Sequence, residues 1–221
     1  DWVEETSSQI VSLGELRYSK ATSLPIKVVV AVAGDSPVHR IEDLPHGLRV
    51  STEYPELTRR FFADKGIEAD IRLSYGASEA KIPDIADCIV DITETGRALR
   101  AAGLRIIGEI LQSYTEVVAN QAAFDDPVKR HAMGQLMTLL NGTLDARGRV
   151  LVKMNVATDQ LAAVLALLPS MKAPTVNELA GDGGYAVETV VSKTQINTLI
   201  PELKDAGATG ILELPISKII P

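Results

Sequence analysis

Residues 26–32 read IKVVVAV, a β-branched run with no polar alternation after Lys27. A strand with one wet face alternates apolar and polar side chains, so an unbroken run predicts a strand covered on both faces. Such a strand needs layers on either side of its sheet, which an α/β architecture supplies. The chain around it fits. LRVST (48–52) predicts a short strand. TEYPELTRRFFADKG then predicts a helix with Thr52 as N-cap, Pro55 in the first turn and Gly66 as its stop. IEADIRLS and CIVDI predict two more strands around a helical or loop segment, GASEAKIPDIAD. ETGRALRAAGL reads as a tight turn and short helix ending at Gly103, residues 105–120 as strand-rich, and residues 127–147 as an amphipathic helix. Ahead of all this, residues 1–20 read as a short helix followed by a strand or loop. Strands alternating with helices predict a mainly parallel sheet.

From residue 149 the pattern changes. VLVKMNV, APTVNEL, YAVETVV and ATGILELPI predict strands, with helices at TDQLAAVLALL and KTQINTLIPELKDAG. The order β-α-β-β-α-β is that of a ferredoxin-like domain. Two regions follow: residues 1–148, and a domain over residues 149–221.

Charge narrows the function. With 22 Lys and Arg against 29 Asp and Glu, the net charge of −7 excludes a broad nucleic-acid surface and leaves room for one local anion pocket. The single Cys88 excludes a disulfide within the chain and fits a reducing compartment. No apolar run approaches the roughly 18 residues that read as a membrane span, and DWVEETSSQ is not a signal peptide. A cytoplasmic protein without membrane contact is expected. With no initiator Met and Trp2 almost at the terminus, the natural chain is expected to continue upstream.

ADCIVDITETGRAL (86–99) carries the most chemistry. A buried strand delivers Asp91 to its carboxyl end, and Thr93-Glu94-Thr95-Gly96 turns into a helix. Gly96 lets the backbone approach a ligand, Thr95 can cap the helix or bond an oxyanion, and Arg97 adds positive charge. Free N–H groups in a first helical turn suit a phosphate. The same residues also describe a plain helix start with a Thr cap. Tyr54 with Arg59 and Arg60 forms a second candidate, although adjacent arginines on a helix face different ways; on residues alone it reads as a helix start with a solvated basic face. His39, His46 and His131 lack zinc-ligand spacing. Cys88 reads as a core residue, and Ser19, Ser36 and Ser113 lack a nucleophile elbow. Glu79, near Asp84 and Asp87, can offer oxygen ligands to a metal or belong to a solvated loop.

TEYPELTRRFFADKGIEADI, ADCIVDITETGRALRAAGL and LLNGTLDARGRVLVKMNV together resemble the ATP phosphoribosyltransferase family, whose members begin histidine biosynthesis. The stretches LLPSMKAPTVNELAGDGGYAVETVV and LIPELKDAGATGILELPISKIIP resemble the regulatory domain of its long form. The resemblance implies a two-lobed catalytic region of periplasmic-binding-protein type, with residues 27–105 in the second lobe and the flanking parts in an incomplete first lobe. It also implies a reaction joining N1 of ATP to C1 of 5-phosphoribosyl 1-diphosphate, with release of diphosphate and with Mg2+ present. Thr93, Glu94, Thr95, Gly96, Arg97 and Ala98 would cradle the donor's 5-phosphate, with Asp91 near the ribose hydroxyls or the metal, and Asp91 and Glu94 as the catalytic carboxylates. Tyr54, Arg59 and Arg60 would lie toward the nucleotide, and Glu79 toward the metal. Asn155, Ala173 and Thr175 would lie near inhibitory histidine, and dimers or hexamers are implied.

The chain departs from the family in several places. Ala98 replaces a usual threonine, Asp84 a usual glycine, and the loop from Glu79 is one residue shorter. Gly183-Gly184 replaces a common aromatic and is expected to loosen the last domain. The family's first strand and a Gly-rich basic loop precede DWVEE and do not occur in this sequence. The competing readings are a two-lobed ligand-binding or sensing module without chemistry, and an inactive fragment.

Overall fold

The computed structural model describes residues 1–18, 24–169, 173–181 and 183–221. Ser19 lies outside them. Contacts divide the chain into two units, Asp1–Met133 and Gly134–Pro221.

The first unit opens with α1 (Trp2–Thr6) and β1 (Val11–Glu15). The apolar run forms β2 (Ile26–Ala33). Val28, Val30 and Val32 enter one core cluster and Val29 and Ala31 another, all at most 1% exposed, so the strand is covered on both faces as its composition predicts. Each valine fully buried in this way contributes about 1.5–3 kcal/mol of transfer free energy. Next come β3 (Leu48–Thr52), α2 (Pro55–Asp64), β4 (Ala69–Leu73), β5 (Cys88–Thr93), α3 (Arg97–Ala101), β6 (Leu104–Ser113) and β7 (Glu116–Ala119). α4 (Gln121–Asp125) and α5 (Pro127–Ala146) complete the unit, α5 running on through the division.

The main sheet has the order β4-β3-β5-β2-β6. β3 is parallel to β4 and β5, but β2 is antiparallel to both β5 and β6. The sheet is therefore mixed, not mainly parallel. A continuous apolar run reports cover on two faces and carries no information about the direction of its neighbours. β1 and β7 form a separate antiparallel pair.

The second unit builds β8 (Arg149–Val156), α6 (Leu161–Leu167), β9 (Thr175–Glu178), β10 (Tyr185–Ser192), α7 (Ile196–Asp205) and β11 (Thr209–Pro215) into an antiparallel sheet of order β11-β8-β10-β9. That is the ferredoxin-like arrangement. Val150, Val152, Met154 and Val156 alternate along β8 into a core shared with Val164, Leu199 and Leu203. Gly184 sits at φ +82, where an added Cβ would lie 2.3 Å from the Val156 carbonyl oxygen. The expected loosening at this position is thus a close backbone approach, open only to glycine.

Candidate active site

Because β3 and β5 are parallel neighbours, their carboxyl ends share one edge of the sheet, the edge where open α/β sheets bind ligands. Asp91 lies near the end of β5 and is half-buried. Its Oδ1 accepts the Ile92 N–H at 2.7 Å, and buried Ser78 opens the short helical turn packed against the same strand. Burial raises the Asp91 pKa, and the Glu53 and Glu79 carboxylates add to the rise. β5 is held in place at its start, where Asp87 accepts the Arg49 backbone N–H at 2.8 Å and its guanidinium at 2.7 Å. That pairing holds the Asp87 carboxyl below the usual range. Arg49 also donates to the Pro83 and Asp84 carbonyls, fixing the loop that carries Asp84.

Beyond Asp91 the turn differs in detail from the sequence expectation. Gly96, not Thr95, is the N-cap of α3; it is buried in the left-handed region at φ +72. The Thr93 hydroxyl accepts the Gly96 N–H at 2.8 Å, whereas Thr95 reaches the Arg97 N–H only at 3.4 Å. Thr93, Glu94, Thr95 and Gly96 line a cavity of about 330 Å³ together with Lys27, Val29 and residues 106–109. Thr93 and Glu94 also border a second cavity of about 280 Å³. The Lys27 ammonium is engaged with Glu109 at 2.7 Å. Arg97 and Ala98 are exposed at the start of α3, and among the described residues the Arg97 side chain has no polar partner. Arg100, which the sequence reading passed over, donates to the Thr95 carbonyl at 2.8 Å and closes the turn from above. Its i+4 placement after Gly96 was the available signal.

The α2 side of the edge also departs from expectation. Thr52 does not cap α2: its hydroxyl accepts the Tyr54 N–H at 3.0 Å, and Tyr54 is the N-cap. Pro55 stands at the first helical position as predicted. The ring of Tyr54 is 3% exposed, with Trp2 at 5.3 Å between centroids, and its hydroxyl donates to Asp1 Oδ2 at 3.2 Å. Burial, helped by Glu53, Asp91 and Glu5, raises its pKa. Arg59 pairs with Glu56, while Arg60 donates to the Ser7 hydroxyl and the Glu4 carbonyl. The two arginines therefore face different partners, and neither guanidinium is free.

Glu79 is exposed in the short helical turn Ser78–Lys81. Among the described residues, no group of three or more His, Cys, Asp and Glu side chains could hold a metal ion. Cys88 is fully buried and its thiol pKa is pushed up to about 12, as befits a core residue. In the second unit Asn155 pairs with Ala186, and Thr175 with Glu188, two residues along the intervening β10. Both side chains therefore fall on one face of the sheet, and both are exposed, as is Ala173 just ahead of β9.

Comparison with known proteins agrees with this arrangement. Residues 1–142 match the ATP phosphoribosyltransferase family, and residues 146–218 match the HisG C-terminal domain. An ATP phosphoribosyltransferase of Desulforudis audaxviator (strain MP104C) is 46% identical over 221 residues, which is all of this chain and 76% of the relative. Another, from Nitratidesulfovibrio vulgaris (strain DP4), is 48% identical over all of this chain and 75% of its own length. The chain thus spans about three-quarters of these relatives. Among solved structures, the ATP phosphoribosyl transferase (HisG:HisZ) complex from Thermotoga maritima aligns with a TM-score of 0.56 and 25% identity, covering 65% of this chain and 66% of that one. With both regions matched in order and the sheet edge built as described, the chain belongs to the ATP phosphoribosyltransferase family.

Proposed function

We propose that this chain is an ATP phosphoribosyltransferase of the long form: it joins N1 of ATP to C1 of 5-phosphoribosyl 1-diphosphate, releases diphosphate, and so catalyses the first step of histidine biosynthesis. Residues 1–148 form the catalytic region and residues 149–221 the regulatory domain. The observation that carries the reading is the buried left-handed Gly96 directly beyond half-buried Asp91 at the carboxyl edge of the sheet.

In this reading residues 93–98 receive the donor's 5-phosphate. A left-handed glycine lets the backbone come close, the Thr93 and Thr95 hydroxyls hydrogen-bond oxyanions, and Arg97 supplies the charge. Ala98 contributes no hydroxyl. Asp91 accepts from the ribose hydroxyls, and its carboxylate and that of Glu94 face the positive charge that develops at C1 as the diphosphate departs. Nitrogen N1 of ATP supplies the electron pair for the new C–N bond, and the old C–O pair leaves with the diphosphate. Orientation and charge stabilisation therefore carry the rate. Tyr54, with Arg59 and Arg60 on the same helix, stands on the nucleotide side.

Asp91 or Glu79 would offer a carboxylate oxygen to a magnesium ion brought in on the diphosphate, since no group of three or more ligating side chains occurs among the described residues. When bound, that ion neutralises the leaving group. The exposed face carrying Asn155 and Thr175, with Ala173 beside it, suits histidine as an inhibitor, acting through an oligomer of dimers or hexamers. A cytoplasmic setting belongs to the same reading; no described helix is long and apolar enough to cross a membrane.

One assay tests the reading. Incubated with ATP, the phosphoribosyl donor and Mg2+, the protein should form phosphoribosyl-ATP and diphosphate in equal amounts, and L-histidine but not D-histidine should suppress the rate. Donor binding without product would favour the non-catalytic two-lobed module. Product insensitive to L-histidine would remove the regulatory half.

A further inference from the structure

The first turn of α2 has one prolyl nitrogen without a hydrogen and two N–H groups, on Glu56 and Leu57, that no helical carbonyl can satisfy. Both donate to the carboxylate of Glu5, at 3.0 and 2.8 Å, from 51 and 52 residues away in the chain. Glu5 is only 7% exposed. A carboxylate is kept in such a place when charge-assisted bonds and the positive end of a helix replace its lost water. The rest of α1 is fastened to the same helix: Arg60 of α2 reaches back to Ser7 and Glu4, and Trp2 lies against Tyr54.

The ties continue from the α2 start toward the chemistry. Glu53, just ahead of the N-cap, accepts the Gly76 N–H at 3.0 Å. Two residues on, Ser78 begins a short helical turn that packs against β5, the strand carrying Asp91. Tyr54 lies between, within electrostatic reach of both Glu5 and Asp91. Hydrogen bonds and packing therefore connect Glu5, through the α2 start and Glu53, to the loop of residues 76–78 that lies against the strand of Asp91.

We infer that Glu5 is a positioning residue of the transferase site: its carboxylate fills the N-terminus of α2 as an internal anion, and through Glu53 and the loop of residues 76–78 it sets the wall of the site beside the strand of Asp91. This rests on the function proposed above. It has a second consequence: with both first-turn N–H groups taken, α2 has no backbone donor left for a substrate phosphate, so donor phosphate binding depends on the turn at residues 93–98. Glu5 touches no substrate; it acts through α2.

The test compares wild type with Glu5→Ala, Glu5→Gln and Glu5→Asp. The readouts are calorimetric titration with 5-phosphoribosyl 1-diphosphate and the fluorescence of Trp2, the only tryptophan in the sequence. Glu5→Ala should lower donor affinity at least tenfold and red-shift the emission as Trp2 leaves Tyr54. Added formate, a carboxylate small enough to refill the vacated position, should recover both signals, whereas chloride at equal ionic strength should not. Glu5→Gln, which keeps one acceptor oxygen, should fall between, and it carries the test if Glu5→Ala does not fold. Glu5→Asp, one methylene short, should resemble Glu5→Ala more than wild type. A folded Glu5→Ala or Glu5→Gln with a lower melting temperature but donor affinity within twofold of wild type overturns the inference and makes Glu5 structural alone. Wild-type protein that fails to bind the donor overturns the proposed function and this inference together, whereas wild-type binding with unchanged variants overturns only the latter.

Discussion

Two helices of the first unit begin at the same edge of the sheet, and their first turns are satisfied in opposite ways. At α2 two backbone N–H groups are taken by Glu5, a charge brought from the far end of another helix. At α3 the N-cap is Gly96, which has no side chain to offer, and the nearby hydrogen bonds come from Thr93 and Thr95 of the same turn. A helix start filled by a remote carboxylate is finished: an incoming anion would have to evict it. Hydroxyls can exchange a backbone partner for a ligand oxygen at little cost, since they both donate and accept. Under the proposed function, one helix start is scaffold and the other is receptor.

The substitution that should break this contrast most sharply is Gly96→Val. An added Cβ would lie 2.7 Å from Arg100 Nη1 and 3.1 Å from Ile106 Cδ1, and φ +72 is strained for any β-branched residue. Arg100 can swing aside only by giving up the Thr95 carbonyl, which opens the turn. Donor affinity should drop by a factor of about 100 or more, about 2.7 kcal/mol, which backbone strain at a left-handed position together with the opened turn can supply. Calorimetry with the donor is the measurement, and circular dichroism should show the secondary structure retained. An unchanged affinity would remove the 5-phosphate from this turn.

The turn at residues 93–96 was readable in the sequence and the filled start of α2 was not. IKVVVAV announced a strand covered on both faces, and ITETG announced a tight turn into a helix; both signals are local. The alternation of β8 with the order of helices and strands announced the ferredoxin-like domain in the same way. Glu5 gives no such signal, because one acid in DWVEETSS looks like any solvated charge until folding brings it 51 residues forward onto α2. Thr52 misled for the related reason that a hydroxyl beside a helix start has several nearby N–H groups to choose from, and it took that of Tyr54. The Glu53–Gly76 bond and the packing of the Ser78–Lys81 turn on β5 join segments distant in sequence, and only the folded chain reveals them. The antiparallel setting of β2 was hidden because strand direction depends on the whole path of the chain.

Asp91→Asn sharpens the contrast from the chemical side. Its buried carboxyl titrates above its ordinary value of 3.8, so the folded protein holds that proton more tightly than the unfolded chain does. Ionisation therefore takes stability away as pH rises from the ordinary carboxylate range through the raised value. Asparagine removes that cost. The variant should melt at the same temperature as wild type or higher at about pH 7.5, with the difference vanishing toward the unperturbed carboxylate pKa. Its turnover should nevertheless fall by a factor of about ten or more, a loss of roughly 1.4 kcal/mol in transition-state stabilisation. Thermal melts at several pH values beside steady-state rates separate the two effects. A variant that melts lower at neutral pH and retains its rate makes Asp91 a structural group.

The mildest change is Thr93→Val, which keeps shape and removes the oxygen that accepts the Gly96 N–H at 2.8 Å. If the turn is a receptor, this bond is a placeholder that the donor replaces. Its loss should then cost about 1 kcal/mol of stability, in the range of a lost helix cap, and move the melting midpoint by roughly 2–4 °C. Donor affinity should fall only a few-fold, because the Gly96 N–H remains and can still meet a phosphate oxygen. Thr93→Ser, which restores the hydroxyl without the methyl, should recover most of both losses. Differential scanning calorimetry and donor titration on the two variants give the answer directly. A Thr93→Val protein as weak in donor binding as Gly96→Val would mean that the Thr93 hydroxyl holds the turn together much as the Glu5 carboxylate holds α2, and the two helix starts would then differ in where their acceptors come from and not in what they are for.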